Sequence, residues 1–122
     1  MKTIVIIDDE FSLADILVAS LSDLGFRAHS AGNGLQGLEL MAEHPPHLVL
    51  LDYMMPLLDG PGVLRAMREN ERLATVPVVM MSALPETTVA TRCSGFAAFM
   101  RKPFRFEALL ATVERVLGAT PY

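Results

Sequence analysis

Three short apolar runs constrain this chain more than anything else in it: "TIVII" (3–7), "LVLL" (48–51) and "VVMM" (78–81). None alternates with polar residues, so none fits a strand with one face in water. Unbroken aliphatic runs of this length read as strands buried on both faces, the pattern of a parallel sheet covered by helices. "FRAHS" (26–30) does alternate, as an edge strand would, and "FAAFM" (96–100) supplies a fifth run. Between the runs the period changes to that of a helix. Leu13, Ile16, Leu17, Leu21 and Leu24 recur at helical spacing before Gly25, and Leu35, Leu38 and Met41 before Pro45-Pro46. Val63, Leu64 and Met67 follow "DGPG", and Phe106, Leu109, Leu110, Val113 and Leu117 precede Gly118. The interval from Glu86 to Ser94 is the weakest, Thr-rich with only Val89 and Cys93 at helical spacing.

Strand and helix in strict alternation predict an α/β fold. Five such units suit a (βα)5 doubly wound, five-stranded parallel sheet of order 2-1-3-4-5, flavodoxin-like, with helices on both faces. At 122 residues, with 52% hydrophobic and 20% charged residues and no linker-like segment, a single domain over 1–122 is expected. A net charge of −4 and no Lys/Arg cluster argue against a nucleic-acid surface. The mixed-sign "RENER" (68–72) reads as a solvated helix end. One cysteine, Cys93, suits a reducing compartment and reads as a buried small hydrophobe. No leader peptide is visible, and no apolar run approaches the roughly 20 residues of a membrane span. A cytoplasmic location without membrane contact is the expectation. The eight methionines read as core filling, and His29, His44 and His47 as loop or edge residues.

In such a sheet the chemistry lies at the carboxyl ends of the strands. Strand one ends in Asp8-Asp9, strand three in Asp52, strand four in Ser82 and strand five in Arg101-Lys102. Each residue alone has a plainer role: a carboxylate after a strand is often a turn or helix cap, and a lone lysine is usually at the surface. For Glu10 and Asp59 the capping role is preferred. The four ends together are different, because strands about 4.8 Å apart bring their terminal side chains to one edge. Three carboxylates, a hydroxyl and an ammonium match Mg²⁺ plus a phosphoryl group, with an Asp as the possible acceptor. Asp8 and Asp9 beside Glu10 repel one another unless a cation sits among them.

At these residues the chain resembles the receiver domain of bacterial two-component response regulators, over essentially its whole length. The segments that carry the resemblance are "VIIDDE", "LVLLDYMMPLLDGPGVL", "VPVVMMSA" and "FMRKPF". The resemblance implies Asp52 as phosphoacceptor and Mg²⁺ held by Asp8, Asp9, Asp52 and the backbone carbonyl of Met54. It implies Ser82 and Lys102 as partners of the phosphoryl oxygens, and Ser82 and Phe99 as switch residues. The Lys102–Pro103 bond is expected to be cis. The implied partners are a sensor histidine kinase or phosphotransfer protein, and downstream either a protein partner or an output domain absent from this chain. The domain would not be an enzyme in its own right, though it would assist its own phosphotransfer and dephosphorylation.

Some details depart from the family. Phe99 lacks the hydroxyl of a tyrosine switch. Met54 and Leu84 flank the phosphoryl position with apolar side chains, which predicts a long-lived phosphoryl group. Only 19 residues separate Ser82 from Lys102, so the fourth helix is expected to be short or mobile. Other classes fit poorly. A haloacid-dehalogenase-type phosphatase would want an Asp where Met54 stands, an electron carrier a phosphate loop where "DDEFS" stands, and a P-loop motif is absent. The main alternative is a pseudo-receiver acting as a binding scaffold, which would normally lack part of the acidic, hydroxyl and lysine set.

Overall fold

The computed structural model describes residues 1–118; the terminal "ATPY" of the expected 1–122 domain lies outside the described residues. Five parallel strands, β1 (Thr3–Ile7), β2 (Arg27–Ala31), β3 (Leu48–Asp52), β4 (Val78–Ser82) and β5 (Ala98–Arg101), lie in the order β2-β1-β3-β4-β5. β1, β3 and β4 are buried along their entire length, and no residue of β2 is. The continuous apolar runs are thus the central strands and the alternating run an edge. β1 pairs with both halves of its neighbourhood, Val5 opposite His29 and Val49, Ile7 opposite Ala31 and Leu51.

The helices are α1 (Phe11–Asp23), α2 (Gly34–Glu43), α3 (Gly60–Arg68), α4 (Glu86–Ala90) and α5 (Phe106–Leu117). Odd and even strand positions feed two separate cores. Ile4, Ile6, Leu48, Leu50, Val79 and Met81 pack with Leu17 and Leu21 of α1 and Leu109 and Val113 of α5. Val5, Ile7, Val49, Leu51, Val78 and Met80 pack with Met41 of α2, Val63 and Met67 of α3 and Val89 of α4. Each fully buried aliphatic side chain contributes about 1.5–3 kcal/mol, so this double core dominates stability.

Local chemistry sets the helix ends. Asn33 and Asp59 accept from the backbone N–H of Gln36 and Gly62, each at 2.9 Å, capping α2 and α3. α1 stops at Gly25, whose φ of 101° is left-handed, with Phe26 N–H returning to Leu21 O at 3.2 Å. α4 is five residues long and buries only Val89, the brevity expected from its Thr-rich sequence. Ile16, placed on the apolar stripe of α1 by its spacing, is instead 59% exposed. It lies one position from the Ala14–Leu17–Leu21 seam, which with Leu13 and Val18 makes the contact of α1 with the sheet. Arg68 also departs from the solvated reading of "RENER". Its guanidinium donates to the carbonyls of Leu73, Ala74 and Val76, and through Nη2 to Gly95 O at 3.0 Å. Cys93 is only half-buried, packed against the α3–α4 core. No described helix is long and apolar enough to cross a membrane.

Candidate functional site

Asp8, Asp52 and Ser82 are the buried polar residues at the carboxyl edge of the sheet, and Lys102 follows β5. Each is held by the strand before it, so the sheet's register fixes their spacing. The carboxylate oxygens of Asp8, Asp9 and Asp52 come within 4.8 Å of one another. Lys102 Nζ donates to Asp8 Oδ2 at 2.7 Å and to Glu10 Oε1 at 2.8 Å, and stands 3.5 Å from Asp52 Oδ1. Its backbone N–H bonds Ser82 O at 2.8 Å, and the Lys102–Pro103 peptide is cis. Ser82 Oγ accepts from Leu84 N–H at 3.0 Å, which pins the start of the β4–α4 loop.

Glu10 was the residue sequence reasoning missed. It sits at the cap position of α1 but makes no side-chain cap bond; its carboxylate reaches Lys102 instead. Asp59, read the same way, does cap its helix. Nothing near Glu10 in sequence signals the difference, since its partner lies 92 residues away.

The loop after β3 approaches the site closely. Gly60 N–H bonds Tyr53 O at 2.9 Å, and a Cβ on Gly60 would lie 2.6 Å from Asp52 O, so a side chain there would displace the loop. Within this loop Leu57 takes a φ of 71° and is 76% exposed. Met54 and Leu84 both border the open recess beside Asp9, and Met54 is 66% exposed. Phe99 is half-buried on β5, its ring 6.2 Å from that of Phe96.

Four carboxylates face one ammonium, and the titration of Asp52 registers the imbalance. Burial, then the neighbouring Asp8 charge, raise its pKa from 3.8 to about 7, with Asp9 adding to the effect and Lys102 opposing it. Burial works against the Lys102 charge, but its bonds to Asp8 and Glu10 prevail and hold its pKa above the ordinary lysine value. A cluster of hard oxygen donors short of positive charge fits a divalent cation such as Mg²⁺.

Fold and site together define a doubly wound α/β domain whose carboxyl edge gathers three carboxylates within 4.8 Å of one another beside a lysine. The chain belongs to the response regulator receiver domain family, whose family model matches residues 4–114. A probable chemotaxis protein CheY of Rhizobium etli is 35% identical over 95% of this chain and 92% of its own length. The DNA-binding regulator RpaA of Synechocystis is 34% identical, but the chain spans only 51% of that protein. Among solved structures, the chemotaxis protein CheY4 of Vibrio cholerae aligns with a TM-score of 0.87 at 26% identity, over 96% of this chain and 99% of that one.

Proposed function

We propose that this single receiver domain, spanning 1–122, is a phosphorylation-driven switch of a two-component system in the cytoplasm, with Asp52 as phosphoacceptor. The observation that carries this reading is the position of Asp52, within 4.8 Å of two further carboxylates and 3.5 Å from the ammonium of Lys102. Asp8, Asp9 and Asp52, with the Met54 carbonyl, are the residues that would hold Mg²⁺. Bound Mg²⁺ supplies positive charge that offsets the repulsion between Asp52 and an incoming phosphoryl group.

Asp52 then attacks the phosphorus of a phosphohistidine on a sensor kinase or phosphotransfer protein. The O–P bond forms as the P–N bond breaks, and the departing imidazole keeps the electron pair and takes up a proton. Lys102 pairs with the transferred oxygens, and Ser82 Oγ exchanges its contact with Leu84 N–H for one with the phosphoryl group. The new charge of about −1.5 to −2 draws the β4–α4 loop inward, and Phe99 follows into the space released. The altered surface is read by a downstream protein partner or by an output domain on a longer chain. The domain assists its own phosphotransfer and dephosphorylation and has no separate substrate. No member of the acidic, hydroxyl and lysine set is missing, which weighs against a scaffold-only pseudo-receiver.

Intact-mass analysis after incubation with acetyl phosphate tests the reading. One Mg²⁺-dependent phosphoryl adduct, lost in Asp52→Asn, is expected; no adduct on the wild type, together with no binding of beryllofluoride, would overturn it.

A further inference from the structure

Charge is divided unevenly along this chain. Residues 1–59 carry nine carboxylates against two cationic side chains, and residues 60–118 carry eight cationic side chains against five carboxylates. The halves therefore differ in sign, −7 against +3, and the sheet order keeps them apart, with β2, β1 and β3 on one side and β4 and β5 on the other. Three of those eight cationic side chains, Arg65, Arg68 and Arg92, line a cleft of about 310 Å³ between α3 and the connection from α4 to β5.

This cleft lies beside the five-residue α4, and it is braced from within. Arg68 spans it, donating on one side to the carbonyls after α3 and on the other to Gly95 O. Both Nη groups of that guanidinium are engaged. Arg65 and Arg92, which also line the cleft, are exposed, and among the described residues neither has a carboxylate within ion-pairing distance. Asp59, the nearby carboxylate, is committed to capping α3. Pro61 and Leu64 provide an apolar floor. The result is two exposed guanidinium groups outside ion-pairing distance of any described carboxylate, beside Pro61 and the buried Leu64, an arrangement suited to carboxylates and unsuited to basic or membrane-buried surfaces.

We propose that the cleft between α3 and the α4–β5 connection is a docking surface for an acidic segment of a partner protein. An aliphatic residue of that segment rests on Pro61 and Leu64, and its carboxylates pair with Arg65 and Arg92. Arginine is favoured for this task because its planar fork meets a carboxylate with two parallel bonds. Arg92 also borders the recess beside Asp9 and Leu84, so the docked segment lies next to the candidate site. The proposal does not depend on phosphorylation of Asp52.

Fluorescence anisotropy with a labelled peptide of interspersed Glu and Leu tests it, against the same peptide with Gln for every Glu. The proteins compared are the wild type, Arg65→Glu with Arg92→Glu, and a charge-matched control, Arg27→Glu with Arg115→Glu, remote from the cleft. The milder pair Arg65→Gln with Arg92→Gln covers any folding defect. Expected are binding of the acidic peptide alone, at least a tenfold loss in both cleft variants, and less than a twofold change in the control. Equal losses in the cleft and control reversals, or no binding by the wild type, would overturn the proposal. So would a wild-type dimer in light scattering that dissociates in the cleft variants, because a second copy would then be the occupant.

Discussion

Lys102 is bound more tightly to Asp8 than to Asp52: its Nζ lies 2.7 Å from the first carboxylate and 3.5 Å from the second. The lysine therefore neutralises the fully buried end of β1 before it serves the end of β3. Removing it strands a buried charge, the costly case for an ion pair.

Lys102→Met is expected to destabilise the protein by about 2–4 kcal/mol without divalent cations, since breaking a buried pair typically costs about 3–5 kcal/mol and Glu10 is exposed. Millimolar Mg²⁺ should restore part of the loss. Urea denaturation with and without Mg²⁺ measures both; a cation-independent stability equal to wild type would refute the assignment.

The raised pKa of Asp52 gives stability a pH dependence. In the folded state this carboxyl holds its proton up to about pH 7, but in the unfolded chain only to about 3.8. Its contribution is therefore fully present below pH 3.8 and is lost as pH rises through 7. Lys102, raised above its ordinary value, stays charged across that window and adds no slope. In EDTA, the melting temperature of Asp52→Asn should gain on that of the wild type between pH 5 and pH 8, and Mg²⁺ should close the gap at pH 8.

Leu57 occupies left-handed backbone, which costs a residue with a Cβ roughly 1–2 kcal/mol. Its side chain is 76% exposed, so little packing would be lost on replacement. Leu57→Asn should stabilise the domain by about 0.5–1 kcal/mol, because Asn tolerates this region. A lower midpoint in thermal or urea denaturation would show that the leucine makes a contact worth more than its strain.

Met54 and Leu84 border the recess through which water would reach a phosphoryl group on Asp52. Replacing both by Asn introduces amides that can hold a water near phosphorus. The adduct should then decay about tenfold faster, equivalent to about 1.4 kcal/mol of barrier, in a mass-spectrometric time course. A wild-type half-life of seconds would contradict the apolar-shield argument from the start.

What could be read before folding depended on range. β1, β3 and β4 were legible because burial on both faces leaves an unbroken aliphatic run, and β2 because an edge strand must alternate. The brevity of α4 was legible in its Thr-rich sequence after Pro85. The convergence of Asp8, Asp9, Asp52 and Lys102 followed from topology, since a parallel sheet collects its strand ends on one edge. Several features escaped. Glu10 looks like any cap until Lys102 arrives from 92 residues away. Arg68 lies in a mixed-sign run that resembles a solvated helix end, yet its guanidinium ties four carbonyls. Ile16 satisfies helical spacing while its face is left uncovered. In each case a tertiary neighbour, or its absence, decides the outcome, and no local pattern encodes it.

The Lys102–Asp8 bond joins positions 94 residues apart, across a sheet in which β3 and β4 separate the strands concerned. A ribosome releasing this chain therefore exposes the acidic triple long before its counter-ion. A nascent chain that has emerged only through β4 already holds Asp8, Asp9 and Asp52 but still awaits the ammonium. Lys102 cannot neutralise that edge until β5 has been synthesised, so the pair forms only after the four preceding strands exist.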